Sequence, residues 1–215
     1  MSWQLPGTRY RAVIFDLEHV LLAREGAWCY TVEEAIASVT ARRIDTRPLA
    51  REYANRPWRH VLSVLLDDSA LQQECEELCA ELFTRSAMKR LLVHEGVGMA
   101  LDHLRAARIE IGAVSREPHA TALKQVQSTG LDRFLAVLST TPAGGWDVSA
   151  RLLEALSFLE YRPAECAFVS SDGYDLGAAR TLGFTGYTAA WASSESPPSE
   201  PLIASPAEIA SLAYT

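Results

Sequence analysis

Asp16 and Glu18 are the residues whose types and spacing first suggest chemistry. They close the run Ala12-Val13-Ile14-Phe15-Asp16-Leu17-Glu18. Four apolar residues running straight into an acid read as a buried strand that ends on a carboxylate. In extended chain, residues i and i+2 share a face, so both carboxylates can point one way. Paired acids at a strand end suit nucleophilic or general acid–base chemistry; a solvated turn is the plainer reading of the same residues. His19 follows directly and adds a titratable ring. Two later apolar runs also end in polar groups: Ser115-Arg116 after Glu110–Val114, and Ser170-Ser171-Asp172-Gly173-Tyr174-Asp175 after Cys166–Val169.

These residues need a scaffold that gathers strand ends. From about residue 96 onward, helical and strand patterns alternate: "GMALDHLRAARI" then "EIGAVS", "HATALKQVQSTG" then "FLAVLS", "SARLLEALSFLE" then "CAFVSS", and "YDLGAARTLG" then "FTGYTAAW". Such alternation predicts a parallel sheet covered by helices on both faces. Residues 31–92 are helical in pattern, with a Thr31-x-x-Glu34 box that suits a helix start. "SPAEIASLA" predicts a short closing helix capped by Ser205, and "ASSESPPSEP" before it a polar, proline-rich loop. The expected fold is therefore α/β, with a Rossmann-like parallel core of residues 1–21 and 96–215. A helical domain of residues 22–95 is inserted after the first strand. In open parallel sheets, ligands bind beyond the carboxyl ends of the strands, where Asp16, Ser115 and Ser170–Asp175 collect.

Composition narrows the function classes. The 215 residues are 48% hydrophobic and 22% charged, ordinary values for a globular chain with a sizeable core. A net charge of −7 argues against general binding of nucleic acid or anionic membrane. No apolar run is long enough to span a bilayer, and the start of the sequence carries no apolar signal segment. Cysteines 29, 75, 79 and 166 have neither metal-ligand nor disulfide-framework spacing, so they read as reduced thiols in a cytoplasmic protein. Two of the 20 basic residues are lysines, Lys89 and Lys124.

The strand ending in Phe15-Asp16-Leu17, the Val114-Ser115 after a second strand, and "GYDLGAARTLGF" after a later one together resemble the haloacid dehalogenase (HAD) superfamily of hydrolases, over nearly the whole chain. The resemblance implies a core domain with a helical cap. It also implies attack by Asp16, a covalent aspartyl intermediate and its hydrolysis by water. Glu18 stands where the family's phosphatases carry the Asp that acts as general acid/base. Its extra methylene displaces the carboxyl by about 1 Å, an error that can cost ~100-fold in rate. Ser115 matches the hydroxyl that binds the substrate's anionic group, and Asp175 the second acid of the last motif. Trp146 takes the place of the motif's lysine, and Ser171 that of a magnesium-binding Asp, with Asp172 beside it. A neutral hydroxyl there implies no resident metal and at most weak Mg²⁺ binding. "VSSDGYD" is closest to the last motif of the L-2-haloacid dehalogenases, which need no metal.

The implied function is a divergent hydrolase acting on a small organic acid or phosphate ester. The alternative is a catalytically degenerate member that binds a metabolite or a protein. Asp16, Glu18, Ser115 and Asp175 are the catalytic candidates. His19, Arg116, Trp146, Ser170, Ser171 and Asp172 are the candidates for holding an anionic small molecule. With the lysine absent, Arg42, Arg43 and Arg59 of the helical segment are candidates for the missing positive charge. Oligomeric state, substrate and pathway are not legible in the residues.

Overall fold

The computed structural model describes residues 10–142, 145–192 and 201–214. It divides into a unit formed by residues 1–22 and 93–215 and a second unit formed by residues 23–92. In chain order the elements begin with β1 (Ala12–Asp16), a π-helical turn (Leu17–Leu21) and β2 (Leu22–Ala23). Helices α1 (Glu25–Thr40), α2 (Arg47–Tyr53), α3 (Trp58–Leu65) and α4 (Ser69–Arg85) follow. The chain returns through β3 (Leu92–Val93), which pairs with β2. Then come α5 (Val97–Ala106), β4 (Glu110–Ser115), α6 (His119–Thr129), β5 (Val137–Thr140), α7 (Val148–Leu159), β6 (Cys166–Ser170), α8 (Gly173–Leu182), β7 (Thr185–Ala189) and β8 (Leu202–Ile203).

Six strands of the first unit form one sheet in the order β5-β4-β1-β6-β7-β8, and each pairing is parallel. The fold is α/β, as the alternation predicts. β1 is flanked by β4 and β6, with Asp16 opposite Val114 and Phe15 opposite Val169. Every β1 residue is buried, which suits a central parallel strand covered on both faces. One covered face packs Ala12, Ile14, Val114, Cys166 and Phe168 against Val148, Leu152 and Leu156 of α7 and Leu176 of α8. Gly112 lets β4 approach closely: a Cβ there would lie 2.9 Å from Val137 Cγ1 and 3.3 Å from Ile14 Cγ1. Because β4 and β5 lie on one side of β1 and β6 to β8 on the other, the chain reverses direction across the sheet beside Asp16, where open α/β sheets place their ligands.

The second unit is all helix between the two short strands. Trp28, Val32, Ala35 and Ile36 make one apolar stripe of α1, and they pack with Val61 and Leu62 of α3 and Cys75 and Cys79 of α4. Burial pushes the Cys79 thiol up to about 12, so it is inert packing material rather than a nucleophile.

Three local expectations need correction. α1 begins at Glu25, not at Thr31; Thr31 lies inside the helix, its hydroxyl donating to the Ala27 carbonyl at 2.8 Å. The apolar stripe starting at Ala27 and Trp28 extends the helix back past the Thr-x-x-Glu pattern. The closing segment Pro206–Ala213 is 3₁₀ rather than α, and Ser205 makes no side-chain cap to it. A further strand, β8, pairs with β7 where the sequence suggested none. The proline-rich loop, residues 192–201, lies outside the described residues over 193–200. Among the described residues no helix is long and apolar enough to cross a membrane.

Candidate active site

Two serines build the site in parallel fashion. Ser115 ends β4 and Ser170 ends β6, one on each side of β1. Each hydroxyl accepts the amide N–H two residues on, from Glu117 and from Asp172, both at 3.1 Å. This local turn chemistry fixes the hydroxyl's direction. Each then donates to a carboxylate from the end of β1: Ser115 Oγ to Glu18 Oε1 at 2.5 Å, and Ser170 Oγ to Asp16 Oδ2 at 3.3 Å. Ser115, Ser170 and Asp175 are fully buried, and Asp16 and Glu18 are 1% exposed.

The π-helical turn that follows β1 places the other groups. Asp16 caps it, accepting the His19 N–H on Oδ1 at 3.1 Å, and its Oδ2 meets His19 Nδ1 at 2.8 Å. Burial alone pushes the Asp16 carboxyl up, but the His19 charge, its two hydrogen bonds and the Arg116 charge outweigh this and hold it below the ordinary value. His19 mirrors it. Burial lowers the ring and the Asp16 charge raises it, with a net upward shift. Each group thus favours the charged form of the other, imidazolium beside carboxylate. Glu18 is turned to the other side, where Oε1 takes the Ser115 hydroxyl and Oε2 takes the Arg116 N–H at 3.0 Å.

Arg116 supplies the cation. Its Nη2 donates to Asp175 Oδ2 at 2.5 Å and to Asp172 Oδ2 at 3.1 Å. Its guanidinium lies 4.6 Å from the Trp146 ring centroid, a stacked cation–π arrangement. The Trp146 indole N–H in turn donates to Asp175 Oδ1 at 3.3 Å. Asp172 also caps α8, accepting the amides of Tyr174 and Asp175 at 2.9 and 3.2 Å. Burial raises the Asp175 carboxyl to about 6 despite Arg116, helped by the neighbouring charges of Asp172 and Asp16. Thr141 completes the framework, donating its hydroxyl to the Ser115 carbonyl at 2.9 Å.

The structure thus joins Asp16, Glu18, His19, Ser115, Arg116, Trp146, Ser170, Asp172 and Asp175 in one network at the carboxyl edge of the sheet. Ser171 sits between Ser170 and the α8 cap, half-buried. Arg42, Arg43 and Arg59 are exposed residues of the helical unit. The clasp of His19 on Asp16 escaped the sequence reading, and Arg116, named there as an anion-holding residue, was not matched to the missing lysine's charge. Arg116 was recoverable, because it directly follows a serine that ends a strand beside β1. Thr141 was missed altogether, and its isolated hydroxyl carries no sequence signal.

The resident Mg²⁺ of HAD phosphatases does not fit these side chains. Asp16 has both oxygens engaged by His19, and the Arg116 guanidinium lies between Asp172 and Asp175, where a second cation would be repelled. No group of three or more His, Cys, Asp or Glu among the described residues is arranged to hold a metal ion.

No model of a known protein family matches the chain, and no curated protein sequence matches it. Solved structures do. A HAD-superfamily hydrolase of subfamily IA from Geobacter sulfurreducens is 19% identical, with a TM-score of 0.78 over 96% of this chain and 98% of that one. A haloacid dehalogenase-like hydrolase from Streptococcus pneumoniae is 13% identical, with a TM-score of 0.75 over 95% and 99%. A HAD family hydrolase from Deinococcus radiodurans, solved with bound phosphate and sodium, is 18% identical, with a TM-score of 0.70 over 96% and 99%. The parallel six-stranded sheet with its helices, matched along nearly the full length of each of these chains, is a fold that this chain shares with these HAD-type proteins.

Proposed function

We propose that this chain is a HAD-fold protein that binds a small anionic ligand at the carboxyl edge of its core sheet and does not turn over phosphate esters or haloacids through Asp16. The helical unit of residues 23–92 is then a cap domain of the HAD type. One observation carries the reading: the carboxylate at the nucleophile position is clasped by His19 at both oxygens. An attacking carboxylate needs a free lone pair aimed at the electrophile, and it needs a cation to offset the substrate's negative charge. Here each oxygen is already held by a hydrogen bond from His19, and the Arg116 cation is paired with Asp172 and Asp175. The bound phosphate in the Deinococcus radiodurans structure supports the ligand class.

A second reading has an observation of its own. His19 and Arg116 keep Asp16 ionised, the form a nucleophile requires. If His19 swings off Asp16 when substrate enters, a divergent hydrolase working through an aspartyl intermediate results. The likeness of Val169–Asp175 to the metal-free haloacid dehalogenases then points to a small organic acid.

Turnover of p-nitrophenyl phosphate and of L-2-chloropropionate, with and without Mg²⁺, separates the two. The expected result is background rate in the native protein and in Asp16→Asn alike. Enzymatic turnover that disappears in Asp16→Asn would overturn the first reading in favour of the second.

A further inference from the structure

The Ser115 hydroxyl and the Arg116 backbone N–H converge on a single carboxylate, and that carboxylate belongs to the protein. Oε1 of Glu18 takes one donor and Oε2 the other, the two-point fit of a small oxyanion. The fit is built rather than incidental. Ser115 is oriented from behind by the Glu117 N–H, its carbonyl is held by Thr141, and the strand that presents it is locked between β5 and β1. Glu18 is itself 1% exposed, a burial that carboxylates tolerate only when their oxygens are satisfied. Arg116 adds a further donor: its Nε–H is buried and has no hydrogen-bond partner among the described residues.

We propose that Glu18 is an internal anion that occupies the cradle formed by Ser115 Oγ–H and Arg116 N–H, so that a small carboxylate or phosphate enters this position only by displacing it. This rests on the reading of the core site as an anion site and adds its gate. In that arrangement Glu18 is neither a proton shuttle nor a surface charge. It competes with ligand, and the effective local concentration of a tethered carboxylate makes it a strong competitor. The native protein is then selective for ligands with additional contacts, because a bare oxyanion gains little by exchanging with one already in place.

The experiment removes the plug. Glu18→Ala vacates the cradle and Glu18→Gln keeps its bulk without the charge. Sodium formate and inorganic phosphate are the probes, titrated by calorimetry and by thermal shift against chloride at equal ionic strength. Glu18→Ala is expected to bind at least one of them tenfold or more tightly than the native protein, with Glu18→Gln between the two. Adding Ser115→Ala to Glu18→Ala is expected to abolish the gain. Preference for formate identifies a carboxylate site and preference for phosphate a phosphate site. If Glu18→Ala fails to fold by near-ultraviolet circular dichroism, the Glu18→Gln comparison decides. Equal affinity in native and variant proteins overturns the plug and leaves the anion-site reading standing. Failure of every folded variant to bind either anion overturns both. Ester turnover by the native protein overturns only the non-catalytic reading.

Discussion

In the helical unit, Arg47 meets Asp45 at 2.8 Å with side chains 82% and 52% exposed. In the core unit, Arg116 meets Asp175 at 2.5 Å with side chains 30% and 0% exposed. The two contacts have the same chemistry and different consequences. Water already solvates the first pair, so bringing the charges together gains little. The second has lost most of its water, and each charge now depends on its partner. Among its described residues the helical unit buries two threonines, Thr31 and Thr46, but no charged side chain, and its ion pairs lie in solvent. The core unit buries Asp16, Glu18 and Asp175 together at one sheet edge. Natural chains avoid that expense in ordinary cores, which marks this edge as the part of the molecule shaped by something other than stability.

The largest effect is expected from Arg116→Met. It strands Asp172 and Asp175 and uncovers Trp146. A loss of about 2–4 kcal/mol in urea unfolding is expected, below the full value for a buried pair because Arg116 is partly exposed. Arg116→Lys should recover only part of it, since a point charge lacks the planar stacking face. A loss too small to measure would mean that the buried cation is dispensable and that the contrast between the units is only geometric.

Next is His19→Ala, expected to cost roughly 1–3 kcal/mol near pH 5–6 by leaving a buried carboxylate with fewer donors. Its pH dependence sharpens the point. The folded-state value of His19 is raised above 6.5, so its contribution is full below 6.5 and is lost as pH rises through the raised value. Asp16 is lowered below 3.8, so its contribution is full above 3.8 and is lost as pH falls through the lowered value. The native–variant difference should be widest between those limits and narrow on either side. A flat difference from pH 3 to 9 would show that the two groups are not ion-paired.

Asp175→Asn is subtler. The folded protein holds the Asp175 proton up to about 6, well above 3.8. The native state therefore binds more protons than the unfolded chain in that window, and native stability falls as pH rises from about 4 to 7. Relative to the native protein, the variant should gain over this range, by up to about 3 kcal/mol. A gain for the native protein would show that the Arg116 charge outweighs burial.

The smallest effect is expected at the exposed pair. Arg47→Ala should leave the melting temperature unchanged within error at physiological salt. A clear drop would erase the distinction drawn between the two units.

Local pattern determined much of this protein. Apolar runs closed by Asp16, Ser115 and Ser170 specify buried parallel strands with polar ends, and helices between them specify one edge where those ends meet. That much follows from period and order along the chain, because parallel crossovers leave few alternatives. Pairing among the gathered groups was decided only in three dimensions. The spacing of Asp16 and Glu18 suggested a shared direction, yet the π-helical turn sends one to His19 and Ser170 and the other to Ser115 and Arg116. The missing lysine suggested a search among distant arginines, while the site's cation stands one residue past Ser115. Partners such as Ser115 and Glu18 lie 97 residues apart, and Arg116 and Asp175 lie 59 apart. Sequence periodicity reports which face a side chain occupies over one or two turns. It carries no information on which carboxylate reaches which donor, because that depends on distances set by packing strands from different parts of the chain.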